Sequence, residues 1–298
     1  MRRNAIGLAA ALVLLAGALE APAQNKRPAF KVPEGVKVQR DLAYVPDGHA
    51  RQKLDLYLPE KKPDGPLPLI VWVHGGGWQG GSKDRPPVLY LVNKGYALAS
   101  VNYRLSQHAT FPAQIEDCKA AIRWLRANAK KYDLDPKHVG AAGASAGGHL
   151  VALLGTTANV KELDVGGNKG QSSGVQAVVD LFGPADFQHL GPNADRAGGA
   201  IPKLLGGKVS ENKEKAKQAS PVAHVSKDAA PFLILHGDMD KTVALKQSQL
   251  LTDALKKAGV EVRLITLEGA GHGGPAFSQP EQRQAIEEFF AKHLKAKK

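Results

Sequence analysis

The amino-acid sequence predicts an α/β fold with a mostly parallel, eight-stranded sheet and helices on both faces. Eight short apolar runs have the length and patterning of buried strands. From Leu69 onward these runs alternate with segments of helical periodicity, which is the order of parallel strands joined by crossover helices. One stretch, 183–225, interrupts this alternation with Gly, Pro, Ala and Lys and has no strand pattern.

The elements can be assigned in chain order. The first two strands follow each other without a helix between them, as in an antiparallel hairpin. The stretch 183–225 is too long for a plain connection, so we expect a small cap inserted into one domain that covers 36–298. Strands are predicted at 36–44, 53–58, 69–74, 97–103, 139–144, 175–181, 232–236 and 260–267, and helices at 87–94, 113–130, 146–156, 245–258 and 281–295.

Residues 1–23 have the pattern of a secretory signal peptide. Two arginines precede an uncharged, mostly apolar run, and Ala21-Pro22-Ala23 offers a small-residue cleavage site. The alternative is a retained anchor, but the apolar run is shorter than the roughly 20 residues that a bilayer requires. We therefore expect a secreted or periplasmic protein, exported by either the Sec or the twin-arginine route, with no stable membrane insertion after cleavage. Residues 24–35 are expected to be a flexible lead-in.

The chain is basic, with 40 Lys and Arg against 28 Asp and Glu and a formal net charge of +12. Its lysines cluster in 203–217 and 292–298 without interleaved aromatic residues or a recognisable binding module, which argues against a nucleic-acid partner. We expect a solvated basic surface instead. The single cysteine, Cys118, excludes an intramolecular disulfide and is expected to be a buried thiol of the helix at 113–130.

The sequence Gly143-Ala144-Ser145-Ala146-Gly147 falls between a predicted strand and a predicted helix. A serine exposed on so tight a turn leaves no room for side chains two residues before and two residues after it, and glycine meets that need at both places. The helix that follows directs its amide end toward the serine. This context predicts Ser145 as a nucleophile.

A serine hydroxyl needs a base, and the base needs an acid to orient it. In a strand–turn–helix hydrolase these follow the serine in the order acid, then histidine. His272 lies in a glycine-rich loop after the last strand and is the predicted base. Asp240, after the strand at 232–236, is the favoured acid over its competitors Asp238 and Asp186. Three other histidines near the same strand ends are expected to hold loops by hydrogen bonds: His74, His149 and His236.

The run His74-Gly75-Gly76-Gly77-Trp78 follows directly after the apolar strand residues 69–73. Attack on a carbonyl group places negative charge on its oxygen, and fixed N–H donors must stabilise that charge. Glycines let the backbone approach closely, so the backbone N–H groups of Gly76, Gly77 and Ala146 are the predicted oxyanion donors. Trp78 is expected to contact the substrate. A glycine turn that only reverses the chain is the competing interpretation.

These motifs together resemble the α/β-hydrolase esterases of the hormone-sensitive-lipase-like and bacterial feruloyl- or acetyl-esterase-like groups. The matching stretches are 74–78, 102–105, 111–126, 143–148, 236–243 and 271–272. The resemblance implies the α/β-hydrolase fold and a triad of Ser145, Asp240 and His272. It also implies that Arg104 and Asp117 are structural supports, paired with each other.

The expected activity is that of a serine carboxylesterase, which hydrolyses short, acetyl-type esters through an acyl-enzyme without a metal or organic cofactor. Its partner would be a small-molecule or saccharide ester. Two alternatives stay open. The first alternative is an amide hydrolase, because residues 74–78 also resemble arylformamidases and residues 236–243 resemble prolyl-oligopeptidase-type peptidases. The second alternative is a catalytically silent binding protein of the same fold. The sequence does not predict the oligomeric state.

Overall fold

Eight strands form one sheet in the computed structural model, which describes residues 30–61, 64–191 and 194–295. The predicted signal peptide, 1–23, lies outside the described residues, as does the first half of the lead-in, 24–29. Contacts divide the chain into Met1–Lys31 and Val32–Lys298, and the elements all belong to the second unit. The strands are β1 (Val36–Ala43), β2 (Lys53–Pro59), β3 (Leu67–Val73), β4 (Ala97–Val101), β5 (Leu134–Ala144), β6 (Ala177–Leu181), β7 (Phe232–Gly237) and β8 (Val262–Leu267).

The sheet has the order β1-β2-β4-β3-β5-β6-β7-β8. β2 pairs antiparallel with both β1 and β4, and all the other neighbours are parallel. The mostly parallel, eight-stranded sheet is therefore confirmed. The carboxyl ends of β3, β5, β6, β7 and β8 meet at one edge, which is where sheets of this kind place their functional sites.

The helices between the strands also match the sequence pattern, with one change of type. The predicted helix at 87–94 is a 3-10 helix, Leu89–Lys94, which ends at Gly95 in the left-handed conformation. The α-helices are α1 (Ala113–Ala127), α2 (Ala146–Thr156), α3 (Ala200–Leu205), α4 (Lys213–Gln218), α5 (Lys246–Lys257) and α6 (Pro280–Leu294), and further 3-10 turns lie at Ala129–Tyr132, Lys161–Leu163, Phe187–His189, Val209–Glu211, Pro221–His224 and Pro275–Ser278.

Helices cover both faces of the sheet. α1, α2 and α5 share a buried apolar cluster with one face, to which Ala141 of β5 belongs. The neighbouring residue, Gly140, points to the opposite face, where a Cβ would lie only 2.8 Å from Phe290 and Leu294 of α6. The glycine thus lets α6 pack closely. None of the helices that the structure describes has the length and apolar character needed to cross a membrane.

The described part of the stretch 183–225 contains no strand, in keeping with its composition. It contains α3, α4 and short 3-10 turns instead. Leu204, Leu205 and Ala216 are fully buried, and the Phe111 N–H donates to the carbonyl oxygen of Leu204 at 2.7 Å. The stretch is therefore packed onto the domain, and several of its residues line the pocket described below.

Candidate active site

Ser145 occupies a tight turn between β5 and α2, with φ 55° and ψ −119°. Side chains at the flanking glycine positions would collide with backbone: a Cβ on Gly147 would lie 2.1 Å from the Val73 carbonyl oxygen, and one on Gly143 would lie 2.4 Å from the Gly147 carbonyl oxygen. The Ser145 N–H donates to the carbonyl oxygen of Leu181 at 2.8 Å and fixes the turn. This strained backbone lifts the hydroxyl out of the sheet edge.

His272 joins Ser145 and Asp240 in one continuous hydrogen-bond chain. Its Nδ1 lies 2.6 Å from Asp240 Oδ2, and its Nε2 lies 2.8 Å from Ser145 Oγ. A carboxylate can only accept, so Nδ1–H donates to Asp240 and leaves Nε2 to accept the serine proton. The structure brings together the three residues that the sequence predicted as the triad, with the imidazole oriented to act as a base.

The geometry also separates Asp240 from its two competitors. The side chain of Asp240 is fully buried, and its Oδ1 accepts the N–H groups of Thr242 and Val243 at 2.8 and 2.9 Å. Asp238 instead accepts the N–H of Gly269 and so ties down the loop that carries His272. Asp186 accepts the N–H of Gln188 in a local turn. Of these aspartates, Asp240 is the one in contact with the histidine.

Two of the three histidines expected to hold loops by hydrogen bonds, His236 and His74, lie next to the triad and the glycine loop. His236 donates from Nε2 to the Val243 carbonyl oxygen at 2.8 Å and accepts from Ser248 at Nδ1, while its Nε2 lies 3.3 Å from Asp240 Oδ2. His74 donates from Nδ1 to the Gly75 carbonyl oxygen and accepts from Arg51 at Nε2. Burial lowers the pKa of His236 and lowers that of His74 to about 4, so both rings are neutral.

Within the described ranges, no group of three or more His, Cys, Asp or Glu side chains is arranged to hold a metal ion. The histidines close to Ser145 have their ring nitrogens bonded to protein atoms.

The glycine loop after β3 packs directly on the serine turn. A Cβ on Gly75 would lie 2.7 Å from the Ala144 carbonyl oxygen, and Gly76 and Gly77 have φ values of 110° and 57°. Ala146 is the first residue of α2, so its N–H has no intrahelical acceptor. Gly77 and Ala146 both line the pocket that contains Ser145, whereas Gly76 is not among its lining residues. Two of the three predicted donors are therefore at the pocket wall.

Trp78, the predicted substrate contact, is buried: only 3% of its surface is exposed. Its Nε1–H donates to His149 Nδ1 at 3.2 Å, and His149 donates from Nε2 to the Ala219 carbonyl oxygen at 2.7 Å. Burial lowers the pKa of His149 to about 4, which keeps that ring neutral and able to relay both bonds. Trp78 still lines the pocket, but no sequence pattern predicted its link through His149 to the 183–225 stretch.

Arg104 and Asp117 form the ion pair that the resemblance implied. Arg104 Nη2 lies 2.8 Å from Asp117 Oδ1, and its backbone N–H donates to Asp117 Oδ2 at the same distance. Asp117 also accepts from the side-chain amide of Gln52 at 2.7 Å. These bonds attach α1 to the chain that leaves β4, and they support the site from a distance.

An open pocket leads to Ser145; its volume, including the solvent space at its mouth, is about 680 Å³. Its walls come from the glycine loop, the serine turn, the stretch 183–225 and the loop after Asp240, and they are mostly apolar. The lining residues are Gly77, Trp78, Ser145, Ala146, Pro184, Leu190, Ala194, Ala200, Ile201, Thr242, Val243, Ala244 and Gln247.

Phe182 is a site residue that sequence reasoning missed. It follows β6 with φ 46°, a conformation that bulky L residues rarely adopt. Its ring meets His272 edge-on at 4.8 Å between centroids and meets Phe277 at 4.6 Å. No local pattern predicts this backbone. The φ value follows from tertiary bonds, including the Phe182 N–H to the Leu235 carbonyl oxygen at 2.9 Å.

Comparison with known proteins places this geometry in a family. The family model described as BD-FAE matches residues 54–255, which include the glycine loop, Ser145 and Asp240.

Individual relatives agree with the family match. Esterase LipC of Mycobacterium tuberculosis is 32% identical over 228 residues, which cover 74% of this chain and 57% of LipC. A solved structure described as a truncated carbohydrate esterase from gut microbiota is 33% identical, with a TM-score of 0.80, over 86% of this chain and 95% of its own. An acetyl ester-xyloside bifunctional hydrolase from Caldicellulosiruptor lactoaceticus is 28% identical, with a TM-score of 0.69, over 80% of this chain and 88% of its own. The chain spans little more than half the length of the curated esterases that it matches first.

Proposed function

The chain belongs to the BD-FAE family of α/β-hydrolases, and from this premise we propose that it is a carboxylic ester hydrolase with Ser145 as its nucleophile. The observation that carries the proposal is the unbroken hydrogen-bond chain from Ser145 Oγ through His272 to Asp240, at the end of an open pocket. A neutral imidazole oriented by a buried carboxylate is what a serine needs in order to attack a carbonyl carbon at neutral pH.

In the first half of the proposed reaction, Ser145 Oγ bonds to the ester carbonyl carbon while His272 Nε2 takes its proton. The carbonyl π electrons move to the oxygen, and the N–H groups of Gly77 and Ala146, supported by Gly76, stabilise that negative charge. When the intermediate collapses, the bond to the alcohol oxygen breaks. His272 then gives its proton to this oxygen, and the acyl group remains on Ser145.

In the second half, a water molecule attacks the acyl-enzyme and loses a proton to His272 Nε2. Collapse of the second intermediate releases the carboxylic acid and returns the proton to Ser145 Oγ. Asp240 stays ionised throughout and stabilises the imidazolium that forms in each half. Its two backbone N–H bonds keep the carboxylate in place when the charge on His272 changes.

We propose short, acetyl-type acyl groups as the preferred substrates. The apolar side chains of Trp78, Leu190 and Ile201 line the same pocket as the oxyanion donors, and the acyl group would bind against them. The carbohydrate esterase and the acetyl ester-xyloside hydrolase among its relatives support an acetylated sugar as a substrate class. The signal-peptide pattern of residues 1–23 supports action outside the cytoplasm, where polysaccharides and their fragments occur.

The proposal is tested with p-nitrophenyl esters from acetate to laurate and with acetylated xylo-oligosaccharides, using the purified protein and Ser145→Ala. We expect the highest kcat/KM at two to four carbons, and a loss of about 10⁶-fold in kcat for Ser145→Ala. A maximum at eight or more carbons would overturn the short-chain assignment. Hydrolysis of amides but not of esters, or a Ser145→Ala variant as active as the parent, would overturn the proposed function itself.

A further inference from the structure

A second pocket, of about 700 Å³, lies beside the loop that carries His272. It is formed where the carboxyl ends of β3, β5 and β6 meet the 3-10 helix Pro275–Ser278 and the start of α6. None of its lining residues belongs to the first pocket. They are Trp72, Pro87, Val88, Tyr90, Ala144, Leu181, Phe182, Gly273, Gly274, Phe277, Ser278, Arg283 and Ile286.

The lining of the second pocket is aromatic, with a single charge. Trp72, Phe182 and Phe277 are each less than 10% exposed and present ring surface to the cavity. Among the lining residues, only Arg283 is charged. Its guanidinium lies 5.1 Å from the centroid of the Tyr90 ring, and no carboxylate pairs with it within the described residues. Such a lining favours a flat, apolar ring with a negative substituent at its edge.

The two pockets are lined by residues on either side of Ser145 in the sequence. Ala146, directly after the serine, lines the first pocket, whereas Ala144, directly before it, lines the second. Gly273 and Gly274, which follow His272, also line the second pocket. Phe182 lines this pocket too, and its ring contacts the ring of His272. A molecule in the second pocket therefore contacts the groups that hold the histidine.

This arrangement assigns the two halves of an ester to different pockets. The oxyanion donors Gly77 and Ala146 belong to the first pocket, so the carbonyl oxygen and the acyl group lie there. The leaving oxygen must come within hydrogen-bond reach of His272 Nε2, because that nitrogen protonates it. The alcohol half is thus directed to the histidine side, next to which Phe182, Gly273 and Gly274 line the second pocket.

We propose a second class of substrate besides acetylated sugars: acetate esters of aromatic alcohols, whose alcohol half binds in the second pocket, particularly where it has a carboxylate that can reach Arg283. This inference rests on the proposed function, because it uses the roles of His272 and the oxyanion donors. The wall is built before a ligand arrives: the Phe182 N–H is bonded to Leu235, and the Gly183 N–H is bonded to Asp180 Oδ1 at 2.9 Å. A preformed ring surface costs little to order on binding.

The kinetic test compares three acetate esters that share one acyl group: ethyl acetate, benzyl acetate and 4-(acetoxymethyl)benzoate. We expect kcat/KM to rise from the first to the third. In Phe277→Ala the benzyl-to-ethyl ratio of kcat/KM should fall about fivefold, the effect of losing one aromatic contact. In Arg283→Gln, a change at an exposed position, the benzoate-to-benzyl ratio should fall by a similar factor.

The matched control is Ile201→Ala in the first pocket. It should alter the preference for acyl length and leave the benzyl-to-ethyl ratio within about twofold of the parent value. The inference is overturned if Ile201→Ala moves this ratio and the second-pocket variants do not, because the alcohol would then lie in the first pocket. It is also overturned if no variant moves it.

A binding measurement separates failure of this inference from failure of the proposed function. In Ser145→Ala, calorimetric titration with 4-(hydroxymethyl)benzoate should show saturable binding that Arg283→Gln or Phe277→Ala weakens. Binding without ester hydrolysis by the parent would retain the pocket and reject the proposed function. Ester hydrolysis without any such binding or selectivity would retain the function and reject the pocket.

Discussion

Three residues at the site have backbone conformations that residues other than glycine rarely adopt. They are Trp78, Ser145 and Phe182, with φ values of 56°, 55° and 46°. Such conformations cost on the order of 1–3 kcal/mol each and persist only where the surrounding structure imposes them. Here each one places a side chain at the pocket: Ser145 presents its hydroxyl to His272, Trp78 closes one wall, and Phe182 supports the histidine ring.

The choice between two neighbouring aspartates gives a test at the residue scale. Asp240→Asn keeps the size of the side chain but removes the charge that orients His272, so kcat should fall by about 10⁴-fold. Asp238→Asn is the matched control because Asp238 bonds only the Gly269 N–H among the partners described here, and an amide oxygen can still accept that bond. Rates with p-nitrophenyl acetate measure both. The larger loss in Asp238→Asn would mean that the acid has been misassigned.

At the scale of elements, the serine turn depends on close backbone contact between β3, β5 and α2. Gly147→Ala would place a Cβ 2.1 Å from the Val73 carbonyl oxygen and 2.7 Å from that of His74. The strand must then move, and with it the oxyanion loop. We expect a loss of about 1–3 kcal/mol in unfolding free energy and a fall in kcat/KM of at least tenfold.

Gly170→Ala is the control for that substitution, because nothing lies within 4 Å of the Cβ it would add and the backbone there is not left-handed. Thermal unfolding and p-nitrophenyl acetate hydrolysis of both variants provide the comparison. If Gly147→Ala has the same unfolding temperature and the same rate of hydrolysis as Gly170→Ala, the serine turn does not require this close packing.

The elements differ in how well the sequence predicted them. Every predicted strand has a counterpart, because short apolar or alternating runs between turn residues are a local signal that the sequence carries directly. The placement of β4 between β2 and β3 was not predicted, since strand order depends on non-local pairing. α3 and α4, six residues each, were also missed; helices this short have little periodicity to detect.

The site shows the same division. The triad and two of the oxyanion donors could be proposed from motifs because glycine and serine at fixed spacing reflect local backbone requirements. The Trp78–His149–Ala219 chain and the position of Phe182 join residues that are far apart in sequence. The second pocket likewise combines β3, β5, β6 and α6, so no single segment could reveal it.

At the scale of the whole molecule, buried groups make stability depend on pH in opposing directions. Burial lowers the pKa of His74 and His149 to about 4 from the ordinary 6.5, so between these values the unfolded chain binds more protons and stability rises with pH. Burial raises the pKa of Asp180 to about 7 from 3.8, so over that window the folded chain binds the extra proton and stability falls as pH rises.

Asp180→Asn isolates the second effect, since an amide resembles the protonated acid in size and can still accept the Gly183 N–H. Between pH 5 and the folded pKa of about 7, the unfolding free energy of the parent should fall by about 2–3 kcal/mol, at 1.36 kcal/mol per pH unit, and that of the variant should not. Urea unfolding of both proteins at pH 5 and pH 8 measures the difference. A gap between them that is the same at both pH values would show that Asp180 is ionised in the folded protein at pH 5.

The central claim is that Ser145, activated by His272, is the nucleophile of this molecule. The most direct measurement is labelling with a fluorophosphonate, which phosphonylates activated serines, followed by intact-mass and peptide analysis. We predict one adduct per chain, located on Ser145 and lost in Ser145→Ala, with labelling that is much slower in Asp240→Asn. An adduct on another residue, or no adduct on the folded parent protein, would contradict it.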